Sequence, residues 1–217
     1  VSPRPRKASD EEVFAAAGRV MARLGPAQLT LSDLAAEAGL TAGALVQRFG
    51  SKRGLLLALS GRAAAQTGET FEGLRAAHRS PLAALRAYGD CMAQMGETPG
   101  TLANFLAWLQ LDLTDADFHR NVLAQARATR AALRALIEDA VAAGELASDA
   151  DPDRLARGVE VTLSGSLMTW AFYQDRPAAI WVREDLESLL APWLARDPRG
   201  GVRHGRKRPR GARLRRG

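Results

Sequence analysis

Thr41, Gln47, Arg48 and Lys52 place a hydroxyl, a carboxamide, a guanidinium and an ammonium group within one short stretch. These are the side chains that reach phosphate oxygens and base edges of a nucleic acid. Ala42 and Gly43 stand among them, small enough for the backbone itself to approach a partner closely. No other chemistry finds a comparable set. His78, His119 and His204 lie scattered, away from Cys91, and no spaced acidic pair, metal-ligand spacing or glycine-rich phosphate loop accompanies them. The chain is read as a binding protein rather than an enzyme, with no catalytic residue, metal or cofactor expected.

The elements that must position these donors follow from local rules. Thr30 caps a short helix and Asp33 completes an approximate capping box. Leu34, Ala35 and Ala38 form its apolar face, Gly39 ends it where a positive φ is free of a Cβ penalty, and Leu40 packs inward. Thr41 caps the next helix, in which Leu45 and Phe49 share one face. Thr41, Ala42, Gly43, Val46, Gln47 and Arg48 lie on the other. Ser51 caps a third helix whose first turn carries Lys52 and Arg53, cations that oppose the helix dipole. A bound phosphate would resolve that conflict. Solvated cations and a chance helix-turn-helix spacing are the competing readings. The functional reading is a helix placed in a DNA groove.

At these residues the chain resembles the TetR family of one-component bacterial transcriptional regulators. Thr30, Ala38, Gly39, Thr41, Gly43, Leu45, Phe49, Ser51, Lys52, Leu55 and Leu56 match the family pattern at its spacing. Two positions depart from it. Val46 stands where the family usually has a phosphate-binding tyrosine, and Arg48 where it often has histidine. Arginine retains a phosphate contact and valine does not. The resemblance implies that Thr41, Gln47, Arg48 and Lys52 contact DNA, with Ala42 and Gly43 as close-approach positions.

Before this unit, Ser9 and Glu12 form a capping box, and Val13, Phe14, Ala17, Val20, Met21 and Leu24 recur at helical spacing until Gly25 and Pro26 stop the helix. Their expected role is packing. Residues 1–8, with Arg4, Arg6 and Lys7, read as a flexible basic arm that either touches the minor groove or is merely solvated. The DNA-binding unit is placed at residues 9–51.

Charge is partitioned along the chain. Residues 1–62 carry a net +4, residues 63–195 a net −7 and residues 196–217 a net +9. The acidic middle is a poor DNA surface and a reasonable regulatory one. Residues 198–217 read as a disordered basic tail, either adding salt-dependent affinity for DNA or simply solvated. A lone Cys91 fits a reducing compartment, and no apolar run is long enough for a membrane span. A cytoplasmic location without membrane association is expected.

Residues 52–197 carry helical patterns: Lys52 to about Thr70, Pro81 to about Met95, 101–112, Asp115 to Ala143, 154–173 and 181–195. An all-α fold follows, with a three-helix head joined to a larger helical domain. The resemblance implies a ligand cavity in that domain, and Met92, Met95, Phe105, Trp108, Phe118 and Trp170 are placed nearest to it, with plain core packing as the competing reading of each. Tyr88, Gln94, Asn104, Gln110 and His119 are candidates for specificity. The family's last two helices pair across a homodimer, which here gives two reading heads for two half-sites. The expected function is a repressor that binds double-stranded operator DNA and is released by a small hydrophobic or aromatic effector. An activator of the same fold, or a helical structural dimer without specific DNA binding, are the alternatives.

Overall fold

The computed structural model describes residues 8–195, so the basic arm, but for Ala8, and the basic tail lie outside the described residues. Nine α-helices are found among those residues: α1 Asp10–Gln28, α2 Leu31–Ala38, α3 Ala42–Phe49, α4 Lys52–Ala77, α5 Pro81–Ala93, α6 Pro99–Thr114, α7 Ala116–Ala142, α8 Pro152–Tyr173 and α9 Ala178–Leu190. Short 3₁₀ turns follow α5 and α9. The remaining regular feature is one antiparallel bridge, Leu146 to Leu194. The all-α expectation holds.

Local capping sets the helix starts. Ser9 Oγ accepts from the Glu12 amide at 3.2 Å, and the Glu12 carboxylate accepts from the Ser9 amide at 2.8 Å. Thr30 and Asp33 close the same reciprocal box at 3.1 and 3.0 Å. Thr41 and Ser51 each cap their helix through the side-chain oxygen. Gly39, at φ 66° and ψ 33°, ends α2 in the left-handed conformation that turns the chain into α3.

Several boundaries differ from expectation, among them those of α9, which spans Ala178–Leu190 rather than 181–195. Gly25 does interrupt α1, with φ 69°, but the chain resumes a helical turn to Gln28. A Cβ at Gly25 would lie 2.6 Å from Asn104 Oδ1, and Asn104 donates to the Ala22 carbonyl at 2.8 Å, so the break seats α1 against α6. Helix α4 continues to Ala77 rather than ending near Thr70, because Phe71 is buried and packs on Tyr88, with ring centroids 4.8 Å apart. The polar residues before Phe71 conceal that anchor in the sequence. Helix α6 starts at Pro99, with Thr98 as its cap.

Two apolar cores result. Val13, Val20, Leu29, Leu34, Leu45 and Leu55 form the smaller one, which binds α1, α2, α3 and the start of α4 into a head. The larger core holds Leu85, Leu133, Ile137, Val159, Leu163 and Leu186 from α5, α7, α8 and α9. Phe118 belongs to α7 in sequence but to the head's core in space. Head and larger domain are thereby packed together.

Candidate nucleic-acid interface and ligand cavity

Helix α3 buries Leu45 completely and turns Thr41, Gly43, Val46, Gln47 and Arg48 outward. Ala42 is half-buried. Thr41 Oγ1 accepts from the Ala44 amide at 3.1 Å, which leaves its hydroxyl hydrogen to donate elsewhere. Gln47 is exposed with its carboxamide open to a partner. Val46, 45% exposed, presents a methyl surface where a phenol would have offered a hydrogen bond.

The two cations expected at DNA already have partners within the chain. Arg48 donates to the Ala8 carbonyl at 2.8 Å, pairs with Asp10 and lies 5.7 Å from the Phe49 ring centroid. Its guanidinium is thus drawn toward the start of α1. Lys52 Nζ donates to the Ala27 carbonyl at 3.1 Å, using one of its three donors.

The conflict between the first turn of α4 and its dipole has an internal answer for Arg53. Its guanidinium donates to Asp115 at 2.8 and 3.1 Å and to Asp117 at 2.8 Å. Those hydrogen bonds raise its pKa, and they hold both carboxyls below the usual carboxylate range. The pairing joins the start of α4 to the start of α7. The sequence pattern gave no sign of this partner.

Behind the head lies a cavity of about 510 Å³. Met92, Met95, Phe105 and Trp108 line it, and Leu102, Leu167 and Met168 complete much of its apolar wall. Phe118 and Trp170 are placed elsewhere. The Phe118 ring meets Trp108 edge-on, centroids 5.7 Å apart, and faces a smaller cavity beside Lys52 and Arg53. Trp170 is buried in the larger core, its indole N–H donating to the Arg176 carbonyl at 2.7 Å.

The expected specificity residues also lie outside the lining. Tyr88 is packed on Phe71, and burial pushes its phenol up to about 12. Asn104 is committed to α1, and Gln110 faces the smaller cavity. His119 Nδ1 sits 3.2 Å from the Asp112 carbonyl oxygen. The polar groups that do line the larger cavity are Ser60, Asp112, Gln125 and Ser164. Asp112 was legible as the one acid in an apolar run, Leu102 to Leu113. Its inward direction was not.

The cavity wall is shared between domains. Gly18 and Met21 of α1 belong to it, and Met21 is also part of the head's core. Helix α4 contributes Leu59, Ser60 and Ala63, while α6 contributes its middle and docks on α1 through Asn104. Among the described residues, no group of three His, Cys, Asp or Glu is arranged to hold a metal ion, and no helix is long and apolar enough to cross a membrane.

Comparison with curated protein sequences finds no match. Two family models do match: bacterial regulatory proteins of the tetR family over residues 13–59, and the tetracyclin repressor-like C-terminal domain over residues 81–186. Among solved structures, a TetR transcription regulator from Haloarcula marismortui superposes with a TM-score of 0.69 at 19% identity, covering 85% of this chain and 97% of that one. The regulator FadR from Bacillus subtilis, solved with stearoyl-CoA, gives 0.61 at 18% identity, covering 84% and 98%. SmeT, the repressor of a Stenotrophomonas maltophilia multidrug efflux pump, gives 0.61 at 22% identity, covering 87% and 91%. These likenesses establish the shared fold. With a head model and a regulatory-domain model together spanning most of the sequence, the chain belongs to the TetR family of bacterial transcriptional regulators, DNA-binding proteins with a ligand-responsive domain.

Proposed function

We propose that the chain is a homodimeric repressor that occupies operator DNA through α3 and leaves it when a small, largely apolar effector enters the 510 Å³ cavity. The observation that carries this reading is the shared wall: Met21 lies in the head's core and in the cavity lining at once. A ligand filling the cavity bears on α1, α4 and α6 together, so it can favour one head position over another. Thr41, Gln47, Arg48 and Lys52 are the proposed DNA contacts, with Ala42 and Gly43 at closest approach. The head is taken as residues 9–51, and the effector and dimerisation domain starts at residue 52.

Dimerisation is supported by one stripe on α8. Val161, Gly165, Met168 and Phe172 follow one another at spacings of four and three, and a Cβ at Gly165 would meet nothing within 4 Å. Phe172 is 81% exposed and Val161 64%, an apolar row that a second copy would cover. Two heads would then face two half-sites.

Selection of bound fragments from the source genome, followed by titration of the recovered DNA, tests the reading. Fragments with symmetric half-sites, bound by a dimer and released by apolar small molecules, are expected. Uniform, sequence-independent binding would overturn it.

A further inference from the structure

Asp112 is the anomaly of the cavity. It is 5% exposed, and its Oδ1 is fully buried without a hydrogen-bond partner, alone in this among the buried side-chain polar atoms of the described residues. Burial strongly disfavours an unpaired carboxylate, and native interiors supply such a group with a cation or donors. Here no side chain donates to that oxygen, and His119 acts on the carboxylate only through space. The cavity lining holds no lysine, arginine or histidine, and His119 meets the Asp112 backbone carbonyl rather than its carboxylate. A helix position needed only for packing between Leu109 and Leu113 would be filled by an apolar side chain at lower cost.

Building on the regulatory reading above, we propose that the cavity selects an apolar, aromatic-bodied ligand bearing one protonated amine, whose ammonium group donates to Asp112. The walls fit the rest of such a molecule. Phe105 and Trp108 place aromatic rings in the wall, which suit a flat apolar body and can attract a nearby cation. Met92, Met95, Leu102 and Leu167 supply adaptable apolar contact. A bare metal ion does not fit, because no second carboxylate or imidazole stands in the lining to complete its coordination. A neutral donor would satisfy one oxygen but leave the charge desolvated, and an anion would be repelled.

The test uses the full chain and three probes that share an anthracene body and a three-carbon arm ending in an amine, an alcohol or a carboxylate. Calorimetry near pH 7.5 is expected to rank the amine at least about tenfold tighter than the alcohol, with the carboxylate weakest. Asp112→Asn should bring amine and alcohol within about threefold of each other, so that the ratio between the two probes reports the carboxylate. Equal binding of amine and alcohol to the unmodified chain, or an amine preference that survives Asp112→Asn, overturns the proposal and leaves the cavity reading standing. Failure of all three probes to bind overturns both.

The unmodified chain gives a second readout. Lowering the pH from about 7.5 to about 5 protonates Asp112 and should weaken the amine by about tenfold but not the alcohol. The residues that α1, α4, α5, α7 and α8 contribute to the lining include no titratable group. His119, the neighbour whose ring touches the Asp112 carbonyl, is removed in a parallel His119→Gln chain. A pH response that vanishes with His119 overturns the assignment to Asp112.

Discussion

Arg53 and Asp115 tie the start of α4 to the start of α7, the guanidinium donating to both carboxylate oxygens at 2.8 and 3.1 Å. The bridge lies where the reading head meets the ligand-responsive domain. Being exposed, it adds little to global stability. Its consequence lies in coupling. Arg53→Ala is expected to leave the melting temperature nearly unchanged while cutting, by about threefold, the factor by which a cavity ligand weakens operator binding. Anisotropy titrations with and without ligand measure that factor, and an undiminished one would remove the bridge from the transmission route. The pKa values of Asp115 and Asp117 are lowered, so their contribution is complete above the ordinary carboxylate value of 3.8 and fades only below it. The bridge is therefore intact through the neutral range.

Arg48 is held at the start of α1 by Asp10 and the Ala8 carbonyl. Its charge is then shared between an internal carboxylate and any phosphate. Asp10→Ala should release it, tightening operator binding several-fold, roughly threefold or more, and steepening the salt dependence by about one contact. Titration across a series of salt concentrations reads both. An unchanged slope would show that Arg48 does not reach the DNA backbone.

Asp112 makes the free protein pH-sensitive in a defined direction. Burial raises its carboxyl to about 6, against an ordinary 3.8, with His119 nearby opposing the shift. The folded chain therefore holds the proton more tightly than the unfolded one. Stability from this group is complete below about 3.8 and declines as pH rises through about 6. Asp112→Asn should stabilise the free protein by about 1–3 kcal/mol near pH 7.5 and by roughly half as much near pH 5. Thermal melts at both values decide it. A variant less stable than its parent near pH 7.5 would show that the carboxylate has a partner in solution.

Phe172 projects from the C-terminal end of the apolar α8 stripe, 81% exposed. Covering such a ring contributes about 1.5–3 kcal/mol. Phe172→Asp should therefore weaken the dimer by at least about tenfold, with sedimentation at micromolar concentration shifting toward monomer and operator affinity falling in step. A dimer of undiminished strength would place the interface elsewhere.

The amino-acid sequence by itself determined the helix starts and the turn between α2 and α3, because capping and positive φ act over three or four residues. Ser9 with Glu12, Thr30 with Asp33, and Gly39 at φ 66° all behave as their types require. It also exposed the donors of α3, since Leu45 and Phe49 fix which side turns inward. Only tertiary structure decided where the long side chains end. Arg48 and Arg53 find their carboxylates on helices distant in sequence, and Phe118 enters the head's core because α7 crosses it. The same holds for the cavity. Helix α6 is apolar around its whole circumference, with Leu106, Leu109 and Leu113 left exposed, so periodicity cannot say which face is inside. The packing of α1 and α7 against α6 makes that choice, and it turns Asp112 inward.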